Sequence, residues 1–381
     1  MADSQRGWFD VAAHGARGDG HTTDTRAIQS ALDACARAGG GTVYFPPGRY
    51  RSGSLTLRSR LELRLERGAV LEGSRHEADY AAGPPLVRSE TGLRSGGCLL
   101  SGDHLEAVTL CGGGEIHGRG PDFWTREMHN RVVWRPKPFR PRSLITLVNC
   151  RDISLEGITL RDSPCYTVWL LGCERASLRN LTILNNRKGP NTDALDIDCC
   201  RGVRVSDCHI EAGDDCIALK SDSGRLGRRM ACERIAVTNC ALSSTACAVR
   251  IGYEGDSIIR NCTFSNLTIY DTDIGLDIIS ILPDVPRIQK GSRCEHIVFN
   301  NITMRNVNRA LFFWMGNETD NEAQVYLKNV LVSNIVADCR IGCFVGGYAD
   351  AAISAGVGII NREGNWVVTP KYSGASVGYP D

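Results

Sequence analysis

Two short runs hold the residue types best suited to chemistry. They are Asn191-Thr192-Asp193-Ala194-Leu195-Asp196-Ile197-Asp198 and Gly213-Asp214-Asp215-Cys216-Ile217-Ala218-Leu219-Lys220. Each alternates apolar and polar residues, Leu195/Ile197 in one and Ile217/Leu219 in the other, the period of a strand with one buried face. Superposing those apolar pairs sets Asp193 beside Asp215, with Asp214 next to it. Parallel strands lie about 4.8 Å apart, so the three carboxylates crowd into one patch. Like charges that close raise at least one pKa and titrate as a unit. One carboxyl held protonated beside another that stays ionised is what cleavage of a glycosidic bond needs. A single Asp at a strand end is more often a turn former. Three in register, flanked by Gly213 and Asn191-Thr192, favour chemistry.

The elements that must position these acids come from an internal repeat over residues 144–346. Its copies begin Cys150-Arg151-Asp152-Ile153, Cys173-Glu174-Arg175-Ala176, Cys200-Arg201-Gly202-Val203, Cys232-Glu233-Arg234-Ile235 and Cys294-Glu295-His296-Ile297. One register is closed by Gly157, Asn180, Asp207, Asn239, Asn301 and Asn334. Short strands recurring every 20–30 residues or so predict a parallel β-helix, with the recurring Asn forming a ladder in a turn. A single coil cannot bury its apolar face. The helical pattern over 23–38, with Thr23 or Asp24 as N-cap and Gly39-Gly40-Gly41 as stop, is expected to cap the open N-terminal end. The expectation is an all-β, single-domain solenoid over residues 1–381, with a C-terminal tail from about 350 that offers no chemistry.

Residues 119–143 interrupt the repeat with aromatic and basic residues, among them Trp124, Trp134, Phe139 and Arg142. Two readings stand level: a loop arching over the strand face to stack on sugar rings, or a loop packing its aromatics on the solenoid wall. The formal net charge of +1 gives no field for nucleic acid or an acidic membrane surface, and no apolar run is long enough for a transmembrane helix. Seventeen cysteines without a C-x-x-C pair argue against metal-finger and redox-motif readings. Most sit in apolar strand patterns and suggest a reducing compartment. Met1–Trp8 has no signal-peptide pattern, so the expectation is a cytoplasmic protein or a secreted one whose leader has been removed.

Several of these stretches resemble a known family. Phe9-Asp10-Val11-Ala12-Ala13-His14-Gly15-Ala16-Arg17-Gly18-Asp19-Gly20 and Gly40-Gly41-Thr42-Val43-Tyr44-Phe45-Pro46-Pro47-Gly48 are similar to the entry segment of pectin-degrading β-helix enzymes. Arg140-Pro141-Arg142, Ser163-Pro164-Cys165-Tyr166-Thr167-Val168-Trp169, Asn191-Thr192-Asp193 and Gly213-Asp214-Asp215 resemble glycoside hydrolase family 28, the polygalacturonases and relatives. The resemblance implies a right-handed parallel β-helix, a poly- or oligosaccharide substrate, hydrolysis with inversion, and no metal or cofactor. Carried over, Asp214 is the general acid, Asp193 and Asp215 hold and deprotonate the attacking water, and Asn191 and Arg142 belong to the substrate-binding set.

Two stretches depart from the family pattern. Thr245-Ala246-Cys247 stands where a G-H-G motif should fall, and Asp277-Ile278-Ile279 where the R-I-K motif that binds the substrate carboxylate should fall. The departure implies a substrate other than a typical polygalacturonate. Aligning Val249/Ile251 with Leu276/Ile278 puts Arg250 beside Asp277. The pair is expected to hydrogen-bond hydroxyls of a neutral sugar, with an ordinary cross-coil ion pair as the plainer reading. Tyr253 and Glu254 follow near the cleft, Glu254 as a further polar contact or as a solvated strand end. Trp124 is the loop's candidate for stacking on a sugar, subject to the two readings above, and Lys220 stacks beside Asp198. Two other classes stay open. One is a calcium-dependent β-helix lyase using the Asp cluster, and the other is a non-catalytic carbohydrate-binding solenoid.

Overall fold

Inward-facing Val, Ile, Leu and Cys repeat at every second position of each strand, so each coil lays its strands in parallel on the preceding coil. The computed structural model describes residues 7–80, 95–130, 132–347 and 357–359. Within them the chain winds as a right-handed parallel β-helix, its strands hydrogen-bonded coil to coil in one continuous sheet. One inward column runs Val108, Ile153, Ala176, Val203, Ile235, Cys262, Ile297, Val330 through successive coils. Its members are all buried. One residue of slip would turn every such side chain outward, so apolar burial fixes the register.

Charge on the outer surface agrees with that register. Glu106, Arg151, Glu174, Arg201, Glu233, Arg260 and Glu295 form a column of alternating sign. Its ion pairs include Arg201–Glu233 at 2.8 Å and Arg260–Glu233 at 2.7 Å. The recurring polar position is a left-handed turn: Asn180, Asp207, Asn239, Asn266, Asn301 and Asn334 all have φ between 52° and 58°. Asn tolerates that conformation and its amide bonds to the next coil, as in Asn301 Nδ2 to Asn266 Oδ1 at 2.7 Å. Asn334 reaches Asn300 instead of Asn301, so the ladder sidesteps at its last rung.

The helix forms over Thr25–Arg37 and buries Ile28, Ala31, Leu32 and Cys35 against the first strands. Asp24 is its N-cap residue, yet its carboxylate turns away to accept from the Arg17 and Gly18 amides at 2.8 and 3.1 Å. Of the expected C-terminal tail, Val357–Ile359 pairs with the strand Tyr326–Ile341, and the rest lies outside the described residues. The cysteines are unpaired thiols, and only Cys339 and Cys343 are exposed. No helix among the described residues is long and apolar enough to cross a membrane.

Candidate active site

The strands Tyr166–Leu171, Leu195–Asp198, Ile217–Ser221 and Cys247–Gly255 lie side by side on one face. Leu195 pairs with Ile217 and Ile197 with Leu219, as the alternation predicts. The Ala194 amide donates to Asp215 O at 2.8 Å, which brings Asp193 and Asp215 level at the entry of neighbouring strands. Thr192 Oγ1 donates to Gly189 O at 3.0 Å and accepts from the Gly213 amide at 3.2 Å, tying the two acidic turns together. A Cβ on Gly213 would collide with Asn186 O and lie 2.6 Å from Thr192 Oγ1, so this turn admits only glycine. Asn191 takes a left-handed conformation, and its Oδ1 accepts from Arg140 at 2.8 Å. Arg140 thus fixes the Asn-Thr-Asp turn, a role that sequence reasoning did not assign to it.

The three acids differ in environment. Asp193 and Asp215 are both 4 % exposed, whereas Asp214 is half-buried. Enclosure by protein, then the charge of Asp215, pushes the Asp214 carboxyl up to about 7. Burial, with Asp196 and Asp214 nearby, drives Asp193 well above the usual carboxylate range. Arg250 Nε lies 2.7 Å from Asp215 Oδ2, and the Cys247 amide donates to Oδ1 at 3.3 Å. Asp215 therefore meets a cation at one oxygen and a backbone amide at the other.

Lys220 is level with Asp198, but its ammonium goes elsewhere. The residue opposite Asp196 is Ala218, whose small side chain leaves room for Lys220 to lean back across it. Its Nζ lies 2.8 Å from Asp196, 3.5 Å from Asp193 and 3.6 Å from Glu254, and 4.6 Å from the centre of the Tyr166 ring. Glu254 reaches this cation because the register slips between Leu219↔Ile251 and Ser221↔Gly255, bulging 252–254 out of the strand. Tyr253 sits in that bulge at φ 63°.

Asp198 instead accepts from the Asp222 amide at 2.8 Å. Burial, then the Asp222 charge, raises its carboxyl to about 7. A buried acid with a raised pKa stabilises the fold below its unfolded value near 3.8, and that contribution is lost as pH rises through 7. Asp198→Asn, whose amide oxygen can accept the same bond, is expected to raise the unfolding midpoint at pH 8 and to leave it unchanged at pH 4. Thermal unfolding at the two pH values checks this.

The segment after Lys220 closes one side of the face. Ser223–Leu226 is a single helical turn, and Leu226 and Met230 cover Val148, Trp169 and Leu171. Arg225 lies over the Trp169 ring at 5.3 Å and pairs with Asp222. A small cleft opens here, lined by Tyr166, Trp169, Asp198, Lys220, Asp222, Arg225 and Glu254. Tyr166, Trp169 and Arg225 had no role in the sequence reading, although the first two stand inside a motif that carried the resemblance.

The other expected site residues separate. Arg250 is level with Asp277, as predicted, at 3.4 Å, but Asp277 has no exposed surface. Its carboxyl faces Arg250 and Cys247, and burial raises it to about 6. Trp124 is 3 % exposed, and its indole N–H donates to Pro164 O at 3.0 Å. It packs with Phe123, Tyr80 and Trp134, in a hairpin of Trp124–Met128 against Trp134–Pro136. The hairpin lies on the solenoid wall, the second of the two readings for this loop. Arg142 is half-buried, and burial together with Arg225 lowers its pKa.

The chain matches known protein families over most of its length. A model of glycosyl hydrolases family 28 matches residues 55–342, and one of rhamnogalacturonase A/epimerase, pectate lyase-like proteins matches 8–64. A probable polygalacturonase from Vitis vinifera is 28% identical over 322 residues, covering 81% of this chain and 63% of that protein. An exo-poly-alpha-D-galacturonosidase from Dickeya chrysanthemi is 24% identical over 362 residues, covering 83% of this chain and 58% of that one. The chain therefore spans less than two thirds of the length of these curated relatives. Among solved structures, a hyperthermoactive exopolygalacturonase from Thermotoga maritima superposes with a TM-score of 0.69 at 20% identity, covering 91% of this chain and 90% of that one. A polygalacturonase from Erwinia carotovora ssp. carotovora does so at 0.69 and 18% identity, covering 91% and 98%. These likenesses confirm the fold, while the family model spans most of the chain. The chain belongs to glycosyl hydrolases family 28.

Proposed function

We propose that this protein hydrolyses α-linked glycosides of pectic-type or neutral-sugar oligosaccharides with inversion at the anomeric carbon. The observation that carries the reading is the unequal setting of three carboxyls on two successive coils. Asp214 is the least buried member of the trio and carries a raised pKa, so it reaches the glycosidic oxygen with a proton to give. Asp215, paired with Arg250, is the base that takes the proton of the attacking water, and Asp193, whose raised carboxyl keeps its own proton, helps to hold that water. The water oxygen bonds to the anomeric carbon and its proton passes to the base. The bond to the leaving oxygen breaks as Asp214 protonates it, and no further reactant is needed.

Lys220, Glu254 and Tyr166 beside the trio supply polar and ring contacts to the sugar, and Asn191 lies at the rim. The relatives' names point to pectic substrates. Asp277, in place of a cation at the position that the family resemblance assigns to carboxylate binding, supports a sugar other than an ordinary polygalacturonate. A reducing-end assay on a panel of pectic and neutral α-linked oligosaccharides tests the proposal. Release of reducing ends that survives a chelator supports it. A chelator-sensitive, ultraviolet-absorbing unsaturated product, or binding with no turnover on any member, would sink it.

A further inference from the structure

Three residues at or near the two departures from the family pattern meet in a closed ring of contacts. Arg250 Nε faces Asp215 Oδ2 at 2.7 Å, and one of its terminal nitrogens lies 3.4 Å from Asp277 Oδ2 and 3.1 Å from Cys247 Sγ. The Cys247 thiol donates to Asp277 Oδ2 at 3.2 Å, and its backbone amide returns to Asp215 Oδ1. The register explains why they meet. Asp277 is directly opposite Arg250 on the following coil, and Ala218 is opposite it on the preceding one. A small residue on one side and an anion on the other leave the arginine a path back across Ala218 to Asp215.

We propose that Arg250, Cys247 and Asp277 are one positioning set, which orients Asp215 as the base of the trio beside Asp214. Asp277 is wholly buried, so it cannot be a sugar contact, and an acid in that setting needs a structural partner. Arg250 has a side chain 17% exposed and both ends of its guanidinium engaged. A planar fork suits a cation that must hold two carboxylates at once, and a point-charge ammonium does not. The departures then read as a coupled change: the cation expected on the substrate side of the cleft is replaced by one beneath the acids. This reassigns Arg250 and Asp277 from sugar recognition to orientation of the base. It rests on the hydrolytic reading only for its effect on rate, because the charge arrangement is measurable without substrate.

The test is a carbon-13 titration of the Asp carboxyls in wild type, Arg250→Gln, Arg250→Lys and Asp277→Asn, with kcat and KM against pH for each. Removing the cation is expected to raise by about one pH unit or more the pH at which the Asp214/Asp215 pair first takes up a proton. Both limbs of the kcat profile should move the same way while KM holds. Removing the buried anion leaves Arg250 to Asp215 alone, so Asp277→Asn should shift the same step downward. Arg250→Lys should fall between wild type and Arg250→Gln, and it carries the test should the Gln variant fail to fold. Shifts of the same sign in the Arg250 and Asp277 variants would overturn the proposal. So would an unmoved titration with a raised KM, which would make Arg250 a sugar contact. A protein that turns over nothing yet shows the opposed shifts would refute the hydrolase reading and leave this one standing.

Discussion

Asp214→Asn is expected to lower kcat by about 10²–10⁴-fold, the range a positioned general acid contributes, with the fold intact. Asn keeps the shape of the side chain, and the backbone bond from Ser244 Oγ to Asp214 O does not depend on the carboxyl. Because the carboxyl is raised to about 7, it donates while protonated below that value. Wild-type kcat should therefore fall as pH rises through 7, and in Asp214→Asn that basic limb should vanish together with the activity. Initial rates across pH 4 to 9, with circular dichroism on both proteins, check the two parts separately. A variant retaining half the wild-type rate would remove Asp214 from the chemistry.

The largest effect on stability is expected from Lys220→Met. Lys220 is buried with Asp196, which has no exposed surface, and Asp193 and Glu254 share the same ammonium. Methionine fills much of the volume, but Asp196 then lies buried beside two other acids with no cation. Removing one partner of a buried pair typically costs about 3–5 kcal/mol. The pH dependence has a definite sign. Burial already raises the Asp196 carboxyl to about 6 despite Lys220, and losing that cation raises it further. Above pH 6 the variant must therefore hold either an uncompensated anion or a proton that the wild type has released. As pH falls below 6 the wild-type acid is protonated as well, and the difference between the two proteins shrinks. Denaturant unfolding at pH 5 and pH 8 should show the larger loss at pH 8. An equal loss at both would mean that packing, and not charge, is what Lys220 supplies.

Much of this site is legible in the sequence because the β-helix turns a one-dimensional pattern into a spatial one. Leu195/Ile197 and Ile217/Leu219 must face inward, and that requirement alone sets Asp193 level with Asp215 and Arg250 level with Asp277. The recurring Asn marks left-handed turns for the same reason. What stays hidden depends on side-chain length and on irregularity. The register says that Lys220 neighbours Asp198, but a long side chain beside Ala218 can lean one position back, and it does. The bulge over 252–254 that brings Glu254 to Lys220 leaves one trace, Gly252 at φ 93°, which the apolar alternation passes over. Asn266 escaped the repeat because its coil starts with Ile259 at the register where Cys232 and Cys294 stand. Trp124 shows the limit for loops. Its aromatic character suits a sugar platform and a packed hairpin alike, and only the surroundings of the ring distinguish them.

The stereochemistry of the first product bears most directly on the central claim. With two fixed carboxyls and a water between base and substrate, attack comes from the face opposite the departing oxygen, so an α-linked substrate must first release the β-anomer. Proton NMR of the anomeric signals in the opening minutes of turnover, before mutarotation mixes them, reads this out. The account predicts the β signal first, and absent in Asp214→Asn. An α-anomer as first product would contradict it.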